Sequence, residues 1–177
     1  FISKFDVYGR TCIDKEFFQQ RDERNGELHT ELSKQEFSSF IPYDSECNCE
    51  KDEFYYRPCY RIDKNDFYIV AILASCDITI TEGYPFDASL LITYDKSGNI
   101  IDYEIIGIGS DVEQYKTEFC KKENELLITQ QSFTEITSAS NIYSGKCNVS
   151  IYRITINTDG TIDKEVIKEY EDNLSIE

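Results

Sequence analysis

The feature that most constrains this chain is a period of two that sets in at Phe54 and is broken repeatedly by short polar turns. Alternation of apolar and polar residues suits a strand and cannot serve a helix. Phe54–Ile62 and Asp66–Cys76 are joined by Asp63-Lys64-Asn65. Ala88–Tyr94 and Ile100–Ile106 flank Asp95-Lys96-Ser97-Gly98-Asn99. Gln114–Cys120 and Leu126–Phe133 flank Lys121–Glu125, and Val149–Ile156 and Thr161–Glu169 flank Asn157-Thr158-Asp159-Gly160. The loops carry the Gly, Asn, Asp or Ser that tight turns need, and the flanks are rich in Val, Ile, Tyr and Phe. With 13 Tyr and 11 Phe the composition leans the same way, because aromatic side chains fit a pleated surface.

The pattern predicts an α+β fold that is mainly antiparallel β: a meander of about eight strands in four hairpins, with one or two N-terminal helices packed on it. Eight strands can close into a barrel, form a sandwich or curl as one sheet. The lengths of Asp77–Asp87, Gly107–Glu113 and Thr134–Asn148, read as loops, favour a long irregular sheet over a closed barrel. Two hairpins resemble each other: Ile92-Thr93 and Ile154-Thr155 lead to Gly98 and Gly160, then to Ile100 and Ile162, at a constant offset of 62 residues. Lys164–Glu177 reads as a strand end fraying into disorder.

The length of 177 residues suits a single domain over 1–177. Within it, 1–50 forms a helical or irregular N-terminal part and 54–170 the hairpin sheet. Asp14–Arg24 reads as a short helix stopped by Asn25-Gly26. Ser33 and Glu36 have the spacing of a capping box. Phe37, Phe40 and Ile41 follow on one stripe, and Pro42 ends the helix. Those three apolar residues are expected against the sheet.

The stretch LLITYDKSGNIIDYEIIG (Leu90–Gly107), the helix LSKQEFSSFI with the later PCYRIDKNDFYIVAIL, and YRITINTDGTI together resemble small, uncharacterised, often exported proteins of Bacteroidetes-type bacteria with YD-x-x-G-x-x-ID hairpins. That resemblance implies the same helix-then-hairpin order and an exported location, periplasmic or surface, rather than a cytoplasmic one. It carries no activity to any residue. The chain begins at Phe1 rather than Met, which fits an export signal removed upstream.

A net charge of −16 argues against nucleic acid and against anionic lipid, both of which require a basic footprint. A basic protein or a small ligand is compatible with it, and no apolar run reaches the length of a membrane-spanning helix. An acidic surface also keeps a protein soluble whatever its partners.

No catalytic or cofactor-binding residue is assigned, and no cofactor is implied. G-x-S-x-G, H-E-x-x-H, P-loop and G-x-G-x-x-G signatures are all missing. His29 is the single histidine and lies in a polar stretch, where an exposed, dispensable ring is expected. The cysteine count is seven, an odd number, so at least one thiol is free or pairs between chains. Cys47, Cys49 and Cys59 are the only cluster with metal-ligand flavour, with Cys12 or His29 as possible fourth ligands. The second pair of a zinc signature is absent, so no metal site is assigned. Free thiols or a disulfide from Cys47 or Cys49 to Cys59 or Cys12 are the competing readings, and Cys76 reads as core. The Gly98 and Gly160 loops lack the spacing of a calcium loop and read as hairpin turns. Function therefore points first to a non-catalytic binding or accessory domain, one version being an acidic immunity-type antagonist of a basic toxin. A carboxylate-based hydrolase and a metal-stabilised structural domain are the alternatives.

Overall fold

The computed structural model describes residues 1–10, 13, 15–18, 32–33, 35–36, 39, 54–76, 86–109, 113–119, 124–134, 137–139 and 142–176. Eight long strands carry the fold: β2 (Phe54–Asp63), β3 (Phe67–Cys76), β4 (Phe86–Asp95), β5 (Ile100–Gly109), β6 (Glu113–Phe119), β7 (Glu125–Phe133), β9 (Ile142–Ile156) and β10 (Ile162–Ile176). Two short ones, β1 (Asp6–Val7) and β8 (Thr137–Ala139), complete the set. The four expected hairpins are present. They divide, however, between two sheets of order β1-β2-β3-β4-β5 and β10-β9-β7-β6, with β8 on β9, instead of forming one long sheet. All pairings are antiparallel except β1 with β2.

The division follows from which faces are buried. In the first sheet, Ile69, Val70, Ala71 and Ile72 are all essentially inaccessible to solvent, so β3 is covered on both faces. Phe67, Ile69, Ala71 and Leu91 join Leu126, Ile128, Ile154 and Ile156 of the second sheet in one shared core. Val70, Ile72, Leu90, Ile92 and Tyr94 face the other way and pack under Phe1, Ile2, Phe5 and Leu32. Two β-bulges in β5 serve the shared core. The pairing skips Ile101 and Ile106, and both extra side chains turn toward the second sheet.

The N-terminal residues thus cover the first sheet, but the described residues do not support helices packed there. No helix of seven or more residues occurs among them. The cover is a 3₁₀ turn at Ile2–Lys4 and a set of aromatic edges, Phe1 on Phe5 at 5.3 Å and Phe1 on Tyr94 at 5.6 Å. The chain then passes along the β2 edge as β1 and inserts Tyr8, Ile13 and Phe17 into the shared core. Of the expected helix Asp14–Arg24, Lys15–Phe18 is a 3₁₀ turn and the rest lies outside the described residues. Arg61 holds the entry of this segment, its guanidinium donating to the carbonyls of Ile2 at 2.8 Å and Phe5 at 3.2 Å.

The capping box at Ser33 is present. The Glu36 carboxylate accepts from Ser33 N at 2.9 Å and from Ser33 Oγ at 2.7 Å, while Glu36 N donates to Ser33 Oγ at 3.4 Å. Phe37, Phe40 and Ile41, expected on the stripe behind it, lie outside the described residues. Lys4 reaches the same carboxylate at 2.7 Å, tying the first turn to the capping box. Its hydrogen bonds to Lys4 and Ser33 hold the Glu36 carboxyl at about 2, below the usual carboxylate range. A depressed carboxyl contributes stability above its unfolded-state value and loses it as pH falls toward the folded value. The stability difference between the wild type and Glu36→Gln is therefore expected to be constant above about pH 5 and to shrink as pH drops from ~4.5 toward ~2. Denaturant titrations across that range check it, and a difference that does not vary with pH refutes it.

The chain after Phe133 departs most from expectation. Thr134–Asn148 is not one long loop, because it holds β8 and the first half of β9. Lys164–Glu177 is not a fraying tail: β10 runs to Ile176 in register with β9, from Ile162 opposite Ile156 to Ile176 opposite Tyr143. The partner strand is equally long, so the ladder has no reason to stop at Glu169. Gly107–Gly109 and Glu113 are likewise strand residues, which leaves 110–112 between β5 and β6.

Candidate functional site

The edges of the two sheets differ in how their backbone groups are satisfied. On β2, the outer edge is taken by the N-terminal segment, with Leu32 N bonded to Tyr56 O at 2.9 Å and Tyr8 N to Arg61 O at 2.7 Å. On β5, carboxylates close it. Asp102 accepts from Tyr103 N at 2.8 Å and from Ile162 N at 2.8 Å, and Glu104 accepts from Ile105 N at 3.2 Å and from Lys164 Nζ at 2.7 Å. Asp102 and Glu104 thereby spend their oxygens joining the β5 edge to the start of β10.

Beyond that junction β10 leaves the first sheet. Every residue from Asp163 to Asn173 is exposed, so the strand is open on both faces. In an antiparallel pair, alternate residues turn both main-chain groups outward. Two observed bonds fix which ones. Ile162 N points out to Asp102, and Asn173 N points out to the Asp172 carboxylate at 2.8 Å. The bulge between Val166 and Lys168 shifts the alternation by one residue, so both assignments are consistent. The outward main-chain groups between those ends are those of Lys164, Val166, Glu169 and Glu171. No backbone pairs with them among the described residues.

The side chains along this edge are of two kinds. Val166, Ile167 and Tyr170 are large apolar residues, 51%, 44% and 38% exposed. Glu165, Glu169, Glu171 and Asp172 are acidic, and Glu165 is paired with Arg153 at 3.0 Å. Both lysines are engaged within the protein. Lys164 bonds Glu104 and lies over the Tyr152 ring, and Lys168 lies over Tyr170 at 4.5 Å.

The residues singled out from the sequence fall elsewhere. Cys59 sits at the β2 bulge in the shared core, its thiol donating to the carbonyls of Phe18 at 3.5 Å and Arg57 at 3.9 Å. Burial pushes that thiol up to about 12, so at neutral pH it is a protonated core group. Cys47 and Cys49 lie outside the described residues, as do Cys12, Cys120 and His29. Among the described residues no group of three or more His, Cys, Asp or Glu is arranged to hold a metal ion. Cys147 is buried, and its thiol is raised by that burial and by the charge of Asp172.

The Gly98 and Gly160 loops are turns of one design. Gly98 N bonds Asp95 O at 3.0 Å and Gly160 N bonds Asn157 O at 3.1 Å, both glycines standing at φ +90°. The Asp95 carboxylate accepts from Ser97 N, Asn99 N and Asn99 Nδ2, which holds its carboxyl below the usual range. The hydrogen bonds that depress Asp159 come from Thr161. Turn closure accounts for these oxygens without a cation.

Together the fold and this edge define a mainly antiparallel β protein of two meander sheets, with β10 an edge strand of the second. A search of protein-family models, of curated proteins and of solved structures finds no match to this chain. No helix among the described residues is long and apolar enough to cross a membrane. Sequence reasoning missed the β10 edge because it read that stretch as a tail. The signal that marks it is the Val166-Ile167 pair followed by Tyr170, set among charges.

Proposed function

We propose that this protein is a non-catalytic binding domain that acts by protein contact, and that the contact is made along the free edge of β10. The observation that carries the reading is the run of outward, unpaired main-chain groups from Lys164 to Glu171 on a strand exposed on both faces. An open edge of this kind is a template for strand addition, in which main-chain hydrogen bonds supply affinity and alternate side chains supply specificity. The resemblance to exported proteins fits an encounter outside the cytoplasm. The acidic surface fits an antagonist of a basic toxin as one version of this reading.

The test uses a proline. Glu169 turns its N–H outward, so Glu169→Pro removes no ladder bond to β9 and the variant is expected to fold, while the edge can no longer accept a complete strand. A photo-cross-linking residue at Glu171 is expected to trap a partner that the same residue at Asn65 does not. Glu169→Pro is expected to weaken that partner's binding at least about tenfold, because it interrupts the added ladder. Equal trapping at both positions, or binding that Glu169→Pro leaves unchanged, refutes contact through β10.

A further inference from the structure

Resting on that reading, we infer that the occupant of the β10 edge is an extended, basic segment of a partner protein, added as one strand against Lys164–Glu171. The edge is bounded at both ends. Asp102 already holds the amide of Ile162, and Asp172 holds that of Asn173, so an incoming strand finds outward groups only between them. That interval admits a segment of about seven residues in extended form.

The chemistry of the interval selects the occupant. Residues of an added strand lie directly opposite those of β10, and opposite charges across such a pair are favourable while like charges are not. Up to the bulge, side chains alternate between the two sheet faces, and they resume alternation after it. Glu169 and Glu171 therefore project on one face and Asp172 on the other. The carboxylates are thus met from either side, whereas Lys164 and Lys168 are turned onto Glu104, Tyr152 and Tyr170. Between the acidic positions, Val166, Ile167 and Tyr170 offer apolar contact. The complementary strand alternates Lys or Arg with apolar residues. A second copy of this chain is the poorer occupant, since two molecules that each carry −16 repel as they approach. Long-range attraction from the whole chain steers a basic partner toward the site.

The experiment compares three capped octapeptides of alternating sequence, Lys-Val, Thr-Val and Glu-Val, added to the full protein. Amide hydrogen exchange is read residue by residue by NMR. The Lys-Val peptide is expected to slow exchange at Val166, Glu169 and Glu171 by at least about tenfold. The amides of Glu165 and Tyr170, which already face β9, are expected to change little. Raising ionic strength from about 0.05 M to about 0.5 M is expected to weaken binding at least about tenfold. If the Thr-Val or Glu-Val peptide protects the same amides equally well, the basic partner is refuted and the edge reading stands. If no peptide protects them, or the Lys-Val peptide protects Val166 and Glu171 equally in Glu169→Pro, both are refuted.

Discussion

Replacing Gly160 with alanine is expected to destabilise the fold by about 2–4 kcal/mol, while the same change at Gly98 costs only about 1–2 kcal/mol. The two glycines share a turn geometry and the same φ of +90°, so an L side chain meets the same backbone strain at each. The surroundings differ. Nothing stands within 4 Å of a Cβ added at Gly98, whereas one added at Gly160 meets Ile101 Cδ1 at 2.8 Å and Phe67 Cγ at 3.3 Å. Gly160 is buried where the β9–β10 turn docks on the first sheet, and its carbonyl accepts a 2.6 Å hydrogen bond from the buried Thr93 hydroxyl. A methyl group at Gly160 therefore displaces the Ile101 tip and crowds the Phe67 ring as well as straining the turn. Urea unfolding of the two variants side by side measures the difference, and equal losses would show that the turn does not carry the joint.

Phe17→Ala is expected to cost about 3–5 kcal/mol, the range for truncating a fully buried aromatic ring. Phe17 is completely inaccessible to solvent and packs edge-on against Tyr8 at 5.2 Å and Phe18 at 5.4 Å, within the core that both sheets share. The N-terminal part is thus built into the sheet core. A thermal unfolding midpoint unchanged from wild type would contradict that placement.

The strands of this fold were legible in the sequence because turn chemistry is local. Gly98 and Gly160 each mark a turn that needs positive φ, and the alternation on either side of each holds whatever the rest of the chain does. Strand length was not legible, because it depends on a partner distant in sequence. Nothing in Lys164–Ile176 alone shows that β9 extends back to Ile142 to meet it. The split into two sheets was only half visible. The unbroken apolar run through Tyr68–Ala74 signals a strand buried on both faces, yet does not name what covers each one. The place of Cys59 was not legible for a related reason: the burial that makes it a core thiol arises from Phe18 and β3. The capping box was read correctly since both its partners lie within one turn.

The joint at Gly160 also bears on the order in which the protein can be made. During synthesis the first sheet emerges with Phe67, Ile69 and Leu91 facing nothing, because Leu126, Ile128, Ile154 and the turn that seals Thr93 have yet to leave the ribosome. The contacts that close this face span most of the chain, and such non-local closure is slow and leaves apolar surface open to aggregation meanwhile. A nascent chain arrested just after Gly109 has cleared the ribosome should therefore recruit chaperones that the finished protein does not.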